Sequence, residues 1–222
     1  MEKEVKQYYN ELAKQYDADR FGNSYGNYIH KQEAVWMKRW LQKEGDGLSM
    51  GCGTGRFMEF ASHGVDISES MLAEAQRKFP NKAFTRSDAG NTPLPDGEFN
   101  QIFALHVFMH LSQEQIKAII NEAHRLLKPG GTFVFDFPSQ GRRRLVNHQQ
   151  SGWHGATALT VNGLQKQMSE DWTLEGVGAV AFFPIHRIPR SLRPLMRPID
   201  NLFCHSPFKK MASYTLVRFV KR

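Results

Sequence analysis

The chain reads as an α/β protein built on a parallel sheet, and three observations point there. Short apolar strands alternate with helical patterns between residues 47 and 137, the order that produces parallel pairing. Phe133, Val134, Phe135 and Phe137 form the near-continuous apolar run of a strand covered on both faces. The first strand runs into glycines at alternate positions, Gly51, Gly53 and Gly55, and the next strand ends in a carboxylate, Asp66. Glycines are needed where backbone must approach a ligand with no Cβ in the way, or where φ is positive. A carboxylate at the following strand tip can accept hydrogen bonds from both hydroxyls of a ribose. Together these features describe a nucleoside-bearing cofactor lying across the carboxyl ends of the sheet.

The elements follow in order. Residues 3–43 read as two helices rich in aromatic rings, interrupted by Gly22-Asn23-Ser24 and Gly26-Asn27, with Trp36 and Trp40 facing the core at i, i+4. Strands are expected at 47–50, 63–67, 82–86, 100–105 and 131–137. A helix of two turns is expected over 56–62. Ser68 is expected to cap a helix whose apolar positions Met71, Leu72, Ala75 and Phe79 keep helical spacing. Ser112 and Gln115 predict a capping box for the helix running to Leu127. After Pro138 the pattern changes. Residues 139–158 read as a polar insertion carrying Arg142-Arg143-Arg144, and Thr160 opens a helix to about Ser169. The apolar stretches 173–184 and 212–220 flank a basic amphipathic segment, 190–203, which Pro194 and Pro198 should kink or split.

Composition sets outer bounds. A chain of 222 residues suffices for one α/β domain and is too short for two. The N-terminus is charged where a signal peptide needs an apolar core, and no apolar run approaches membrane-spanning length. Cys52 and Cys204 are the only cysteines, which argues against a disulfide framework and for a cytoplasmic setting. Residues 1–137 carry 16 Lys and Arg against 18 Asp and Glu, net −2, whereas residues 138–222 carry 13 against 4, net +9. That basic half is either a solvated cationic face or a surface for an anionic partner.

The identity of the cofactor turns on glycine spacing. A dinucleotide site needs G-x-G-x-x-G, but here Gly55 comes one position early and Arg56 occupies the slot. The run Leu48-Ser49-Met50-Gly51-Cys52-Gly53-Thr54-Gly55 resembles motif I of the class I S-adenosylmethionine-dependent methyltransferases. Asp66, Ser87-Asp88-Ala89, the segment Leu94 to Ile102 and Leu126-Leu127-Lys128-Pro129-Gly130-Gly131 are similar to the family's later segments, in order and spacing from Tyr8 to Phe137. The closest likeness is to the small-molecule branch that includes the quinone methyltransferases. The resemblance implies a Rossmann-like, doubly wound, seven-stranded and mostly parallel sheet with an antiparallel last strand. It implies a single domain over 1–222, with lid helices in 1–43, a cofactor-binding half in 44–137, and a substrate-side insertion with terminal strands in 138–222.

It also implies residue roles. Gly51, Cys52 and Gly53 would present backbone to the methionine and ribose portion, Asp66 would take the ribose hydroxyls, and Ile67 would flank the adenine. Asp88 and the backbone of Ala89 would meet the adenine edge. Leu105 and His106 would lie beneath the sulfonium, and Tyr16 and Arg20 would belong to the lid. Methyl transfer from a sulfonium is an in-line displacement, so the protein mainly positions the acceptor and excludes water. His106 is the candidate proton acceptor for a protic substrate, while His110 reads as a structural histidine. No spacing suggests a metal site.

Two departures stand out. Ser49 replaces the acidic residue that most relatives carry two positions before the first glycine, and only 15 residues separate Gly51 from Asp66. The expected activity is methyl transfer from S-adenosylmethionine to a small or amphipathic acceptor, on oxygen, nitrogen or carbon. The alternatives are a non-catalytic S-adenosylmethionine-binding partner subunit, which Ser49 favours, and a nicotinamide-dependent oxidoreductase, which the glycine spacing disfavours. Arg190, Arg193 and Arg197 recur at helical spacing opposite Leu192, Leu195, Met196, Ile199, Leu202 and Phe203. This segment is expected either to lie on an anionic membrane through its arginines or to cover the acceptor pocket. Nucleic acid is not an expected partner, and nothing in the sequence speaks to oligomeric state.

Overall fold

Three helices open the chain: α1 (Glu2–Leu12), α2 (Tyr16–Arg20) and α3 (Ser24–Trp40). The computed structural model describes residues 2–43, 45–147 and 157–222. One helix more forms than the sequence suggests, because the first stretch breaks between Leu12 and Tyr16; the break at Asn23 is the expected one, and it starts α3. The Asn23 side chain accepts hydrogen bonds from the N–H groups of Tyr25 and Gly26 at 3.0 and 2.9 Å, an N-cap. Gly26 does not break a helix. It sits inside α3 where a Cβ would lie 1.7 Å from the carbonyl oxygen of Arg20, so glycine is what lets α2 cross there. Trp36 and Trp40 face the core as expected, and the Trp36 indole donates to the Ala179 carbonyl at 3.2 Å.

The strands are β1 (Gly47–Met50), β2 (His63–Asp66), β3 (Ala83–Arg86), β4 (Phe99–Ala104), β5 (Leu127–Pro138), β6 (Trp172–Val180) and β7 (Tyr214–Lys221). They form one sheet in the order β3-β2-β1-β4-β5-β7-β6. The first five run parallel, and β7 is antiparallel to both of its neighbours. Successive strands step outward from β1 in one direction and then, from β4, in the other. A crevice therefore opens above the carboxyl ends of β1 and β4, where α/β sheets take ligands.

Both faces of the sheet are covered. Phe133, Phe135 and Phe137 of β5 pack against Ile116, Ile119, Ile120 and Ala123 of α5 (Gln113–Leu126). Val134 turns the other way, into a cluster with Met37, Met58 and Phe60. Local signals hold: Ser68 caps α4 (Glu69–Lys78), and Ser112 and Gln115 form the capping box of α5. The expected helix over 56–62 does not form. Phe57 adopts left-handed φ of 66°, and only a 3-10 turn at Met58–Phe60 follows before the Ser62 N–H meets the Gly47 carbonyl at 2.9 Å. The link between β1 and β2 is too short, and too constrained at Phe57, to wind an α-helix.

Beyond β5, the basic run Arg142-Arg143-Arg144 lies in α6 (Gln140–Leu145), and residues 148–156 of the expected insertion fall outside the described residues. The helix opened by Thr160, α7 (Val161–Gln165), ends before Ser169. The segment expected to kink or split is one helix, α8 (Arg193–His205), with Pro194 in its first turn and Pro198 inside it. Asp200 fixes it to the body. This buried carboxylate accepts from Phe183 N–H at 2.6 Å, Tyr28 Oη at 2.8 Å and Gln32 Nε2 at 2.9 Å. No helix among the described residues is long and apolar enough to cross a membrane.

Candidate active site

The loop after β1 turns at Gly51 and Gly53, with φ of 65° and 53°. At Gly53 a Cβ would meet nothing within 4 Å, so the backbone there borders open space that a side chain would fill. Asp66, at the end of β2, braces this loop. One carboxylate oxygen accepts from the Gly53 N–H and the other from the Ser68 N–H, both at 2.8 Å. Burial raises the proton affinity of Asp66, against the pull of these backbone N–H groups. Asp88 follows β3, its carboxylate accepting from the Gly90 N–H at 2.9 Å.

These groups meet in one cleft at the carboxyl edge of the sheet. Gly51, Gly53, Asp66, Ile67, Asp88, Ala89, Leu105, His106 and Tyr16 all line it, and Met71, Leu111 and Ile119 give it an apolar wall. Two expected residues stand elsewhere. Cys52 lines a smaller recess behind the glycine loop together with Ser49 and Phe103. Burial pushes its thiol well above the ordinary value, so it stays neutral. Arg20 borders a second cavity and donates to Tyr8 Oη at 3.0 Å. Tyr9, Tyr16, His106 and His110 line both large cavities. His110 is buried and shares a 3.0 Å hydrogen bond with Tyr9 Oη, which places it on the wall between the two.

The N-terminal helices are latched over this edge by polar contacts. Asn10 Oδ1 accepts from Ser68 Oγ at 2.6 Å, and Asp17 accepts from Thr54 Oγ1 and pairs with Lys78, each at 2.6 Å.

His106 follows β4 with φ of 61° and is the centre of a charged cluster. Its N–H donates to Asp136 Oδ1 at 2.5 Å, which holds the turn. Its ring Nε2 lies 2.7 Å from Glu33 Oε1, and Nδ1 lies 3.7 Å from Asp136 Oδ2. Arg56 meets the other Glu33 oxygen at 2.5 Å. The Glu33 and Asp136 side chains are 1% and 2% exposed. Burial opposes charge on Glu33, but Arg56 and His106 overcome it and hold the carboxyl at about 2. Burial likewise favours a neutral His106 ring, yet Glu33 and Asp136 raise its proton affinity above the ordinary value. For Asp136 burial prevails, and its proton affinity is raised. The three donor atoms lie within 4.8 Å of one another, and Arg56 pairs with the Glu33 carboxylate beside them.

Sequence reasoning passed over Glu33, Arg56 and Asp136. The available signal was a lone acid within the otherwise apolar run Phe133 to Phe137, and another within the buried stripe Ile29, Glu33, Met37 of α3.

The family described as Methyltransferase domain matches residues 48–135. A malonyl-[acyl-carrier protein] O-methyltransferase from Marinomonas is 31% identical over 78% of this chain and 66% of its own length. A demethylmenaquinone methyltransferase from Tropheryma whipplei is 30% identical over 63% of this chain and 61% of its own. The chain spans about half the length of other curated relatives it matches, among them proteins of Methanocaldococcus jannaschii. The crystal structure of magnesium protoporphyrin IX methyltransferase from Synechocystis superposes over the whole of both chains with a TM-score of 0.66 at 16% identity. Matched in sequence through its glycine loop and first five strands, and in fold from end to end, the chain belongs to the class I S-adenosylmethionine-dependent methyltransferases.

Proposed function

We propose that this chain, acting as a single domain, transfers a methyl group from S-adenosylmethionine to a small or lipid-like acceptor. The observation that carries the reading is the convergence of Gly53, Asp66 and Asp88 on one cleft that shares walls with a second, aromatic cavity. The cofactor supplies the activated methyl. Gly51 and Gly53 offer close backbone approach, Asp66 and Asp88 offer acceptors to ribose and adenine, and Ile67 with Leu105 encloses the ring and sulfur ends. Tyr16, Arg20 and Tyr25 line the cavity proposed for the acceptor, where aromatic walls orient it and exclude water. His106 sits at the junction, in position to take a proton. The two buried thiols, Cys52 and Cys204, suit a reducing cytoplasmic setting.

S-adenosylhomocysteine should raise the melting temperature, as ligands of the native state do, while NAD leaves it unchanged. Asp66→Asn should weaken cofactor binding by about 1.5–3 kcal/mol, the scale of hydrogen bonds to a charged group. Stabilisation by NAD alone would refute the reading.

Peripheral contact with an anionic membrane belongs to the same proposal, on residues different from those the sequence suggests. Arg193 and Arg197 do not point outward. They bond to the Ile188, His186 and Ser24 carbonyls at 2.9, 3.0 and 3.0 Å. The outward side of α8 is apolar, with Leu195 70% and Leu202 68% exposed, Ile199 between them and Phe208 beyond. Arg187, Arg190 and Lys210 are exposed nearby, and Asp200, which is buried, is the only acidic residue between 182 and 213. An apolar stripe bordered by cations alone is complementary to anionic lipid. The protein should co-float with vesicles containing anionic lipid. Leu195→Ser with Leu202→Ser should abolish this, and flotation unchanged in that variant would exclude α8 as the contact.

A further inference from the structure

His106 borders each of the three recesses at the carboxyl edge. Its ring is held between two carboxylates from different elements, Glu33 of α3 and Asp136 of β5. The other charged or titratable groups around it are Arg56 on Glu33, Tyr214 of β7 with ring centroids 5.6 Å apart, Tyr9, Tyr16, Asp66 and His110 on the cleft walls, and Asp19, Arg20 and Tyr25 on the second cavity. With both carboxylates ionised and the ring protonated, two negative charges face two positive ones and the set is neutral. With the ring neutral, one negative charge remains, buried and bordering the cleft. A cation in that cleft interacts with this set through little water, where charges are weakly screened. It therefore favours the form of the cluster that has lost its proton.

We propose that the ring proton of His106 exchanges against the positive charge of the cofactor, so that binding S-adenosylmethionine expels it and binding S-adenosylhomocysteine leaves it in place. The inference rests on the cofactor reading above and adds a charge switch to it. The two ligands differ by one methyl group and one positive charge. Coupling is reciprocal: the cation lowers the proton affinity of the ring as much as the ring proton lowers the affinity for the cation.

The exchange reconciles two requirements. A proton acceptor must be neutral before the reaction, yet the two carboxylates at this ring favour its cation. In the complex with the charged cofactor the ring is neutral. During transfer the carbon–sulfur bond breaks with its electron pair left on sulfur, and a lone pair of the acceptor forms the new bond to carbon. The positive charge passes from sulfur to the methylated acceptor, which sheds it as a proton; with sulfur neutral, the ring regains its affinity for that proton.

The test is proton release on binding, read by titration calorimetry in buffers of different ionisation enthalpy at about pH 6.5, where the α-amino groups of both ligands stay protonated. S-adenosylmethionine should release close to one proton and S-adenosylhomocysteine close to none. In histidine-labelled protein, the ring resonance lost in His106→Gln should titrate at least one pH unit lower with S-adenosylmethionine than with S-adenosylhomocysteine. Affinity for S-adenosylmethionine should rise up to tenfold per pH unit across that range. Glu33→Gln, which removes one of the two carboxylates, should lower the ring's midpoint in the free protein and shrink the difference between the ligands. Equal proton release by the two ligands, or release that persists in His106→Gln, would overturn the exchange and leave the cofactor reading standing. If neither ligand binds, the cofactor reading itself falls, and the exchange with it.

Discussion

The two halves of the chain, divided at Pro138, treat their surfaces in opposite ways. Up to Pro138, Val35 is the only large apolar side chain exposed among the described residues; beyond it there are seven, five of them between Leu192 and Phe208. The first half is near charge balance and the second carries +9. Loose packing does not explain the contrast, because α8 is anchored through Asp200, which is fully buried and hydrogen-bonded on both oxygens. The apolar exposure is thus a property of the outward face. The first half spends its apolar residues on a covered sheet and a ligand cleft, whereas the second holds part of its apolar surface out to solvent on a rigid frame.

That contrast can be broken by substitution. The largest effect belongs to the covered sheet: Phe135→Ala, at a fully buried ring stacked on Phe108 at 4.4 Å, should cost about 3–5 kcal/mol in urea unfolding. Next comes the charged cluster. Glu33→Gln leaves Arg56 and His106 without their shared carboxylate and should cost about 3 kcal/mol, the scale for breaking a buried pair.

The same cluster predicts a pH dependence. The folded-state proton affinity of His106 is raised from its ordinary 6.5, so its contribution is complete below pH 6.5 and is lost as pH rises through the folded value. Glu33 is lowered from 4.5 to about 2, so its contribution is complete above pH 4.5 and is lost as pH falls toward 2. Unfolding of the native protein and of His106→Gln at pH 5.5 and 8.5 should show the wider stability gap at the lower pH. The smallest effect is expected on α8: Leu195→Ser with Leu202→Ser should shift stability by no more than about 0.5 kcal/mol, as exposed substitutions do. A large loss there would mean that the stripe packs against protein, and the contrast between the halves would disappear.

Legibility in the sequence follows the same division between local and distant causes. The glycine loop, Asp66, the Ser68 cap and the Ser112–Gln115 capping box act within a few residues of themselves, and each is found where its pattern places it. The helix expected over 56–62 failed because the left-handed backbone at Phe57 belongs to a tight return and has no sequence signature. Glu33 and Asp136 meet His106 across 73 and 30 residues, a convergence set by topology rather than spacing. Periodicity in α8 separated an arginine face from a leucine face. Which face turns inward was decided by the carbonyls of Ser24, His186 and Ile188, which no pattern within the helix records.

The last turn of α8 also gives the molecule a built-in optical reporter. The imidazole of His205 stacks on the indole of Trp36, with centroids 5.0 Å apart and planes at 17°. That contact joins the end of α8 to the helix supplying Glu33, and an indole's emission depends on what is stacked against it. Displacement of α8 would therefore change tryptophan fluorescence with no label attached, and would bare the ring to acrylamide from solution.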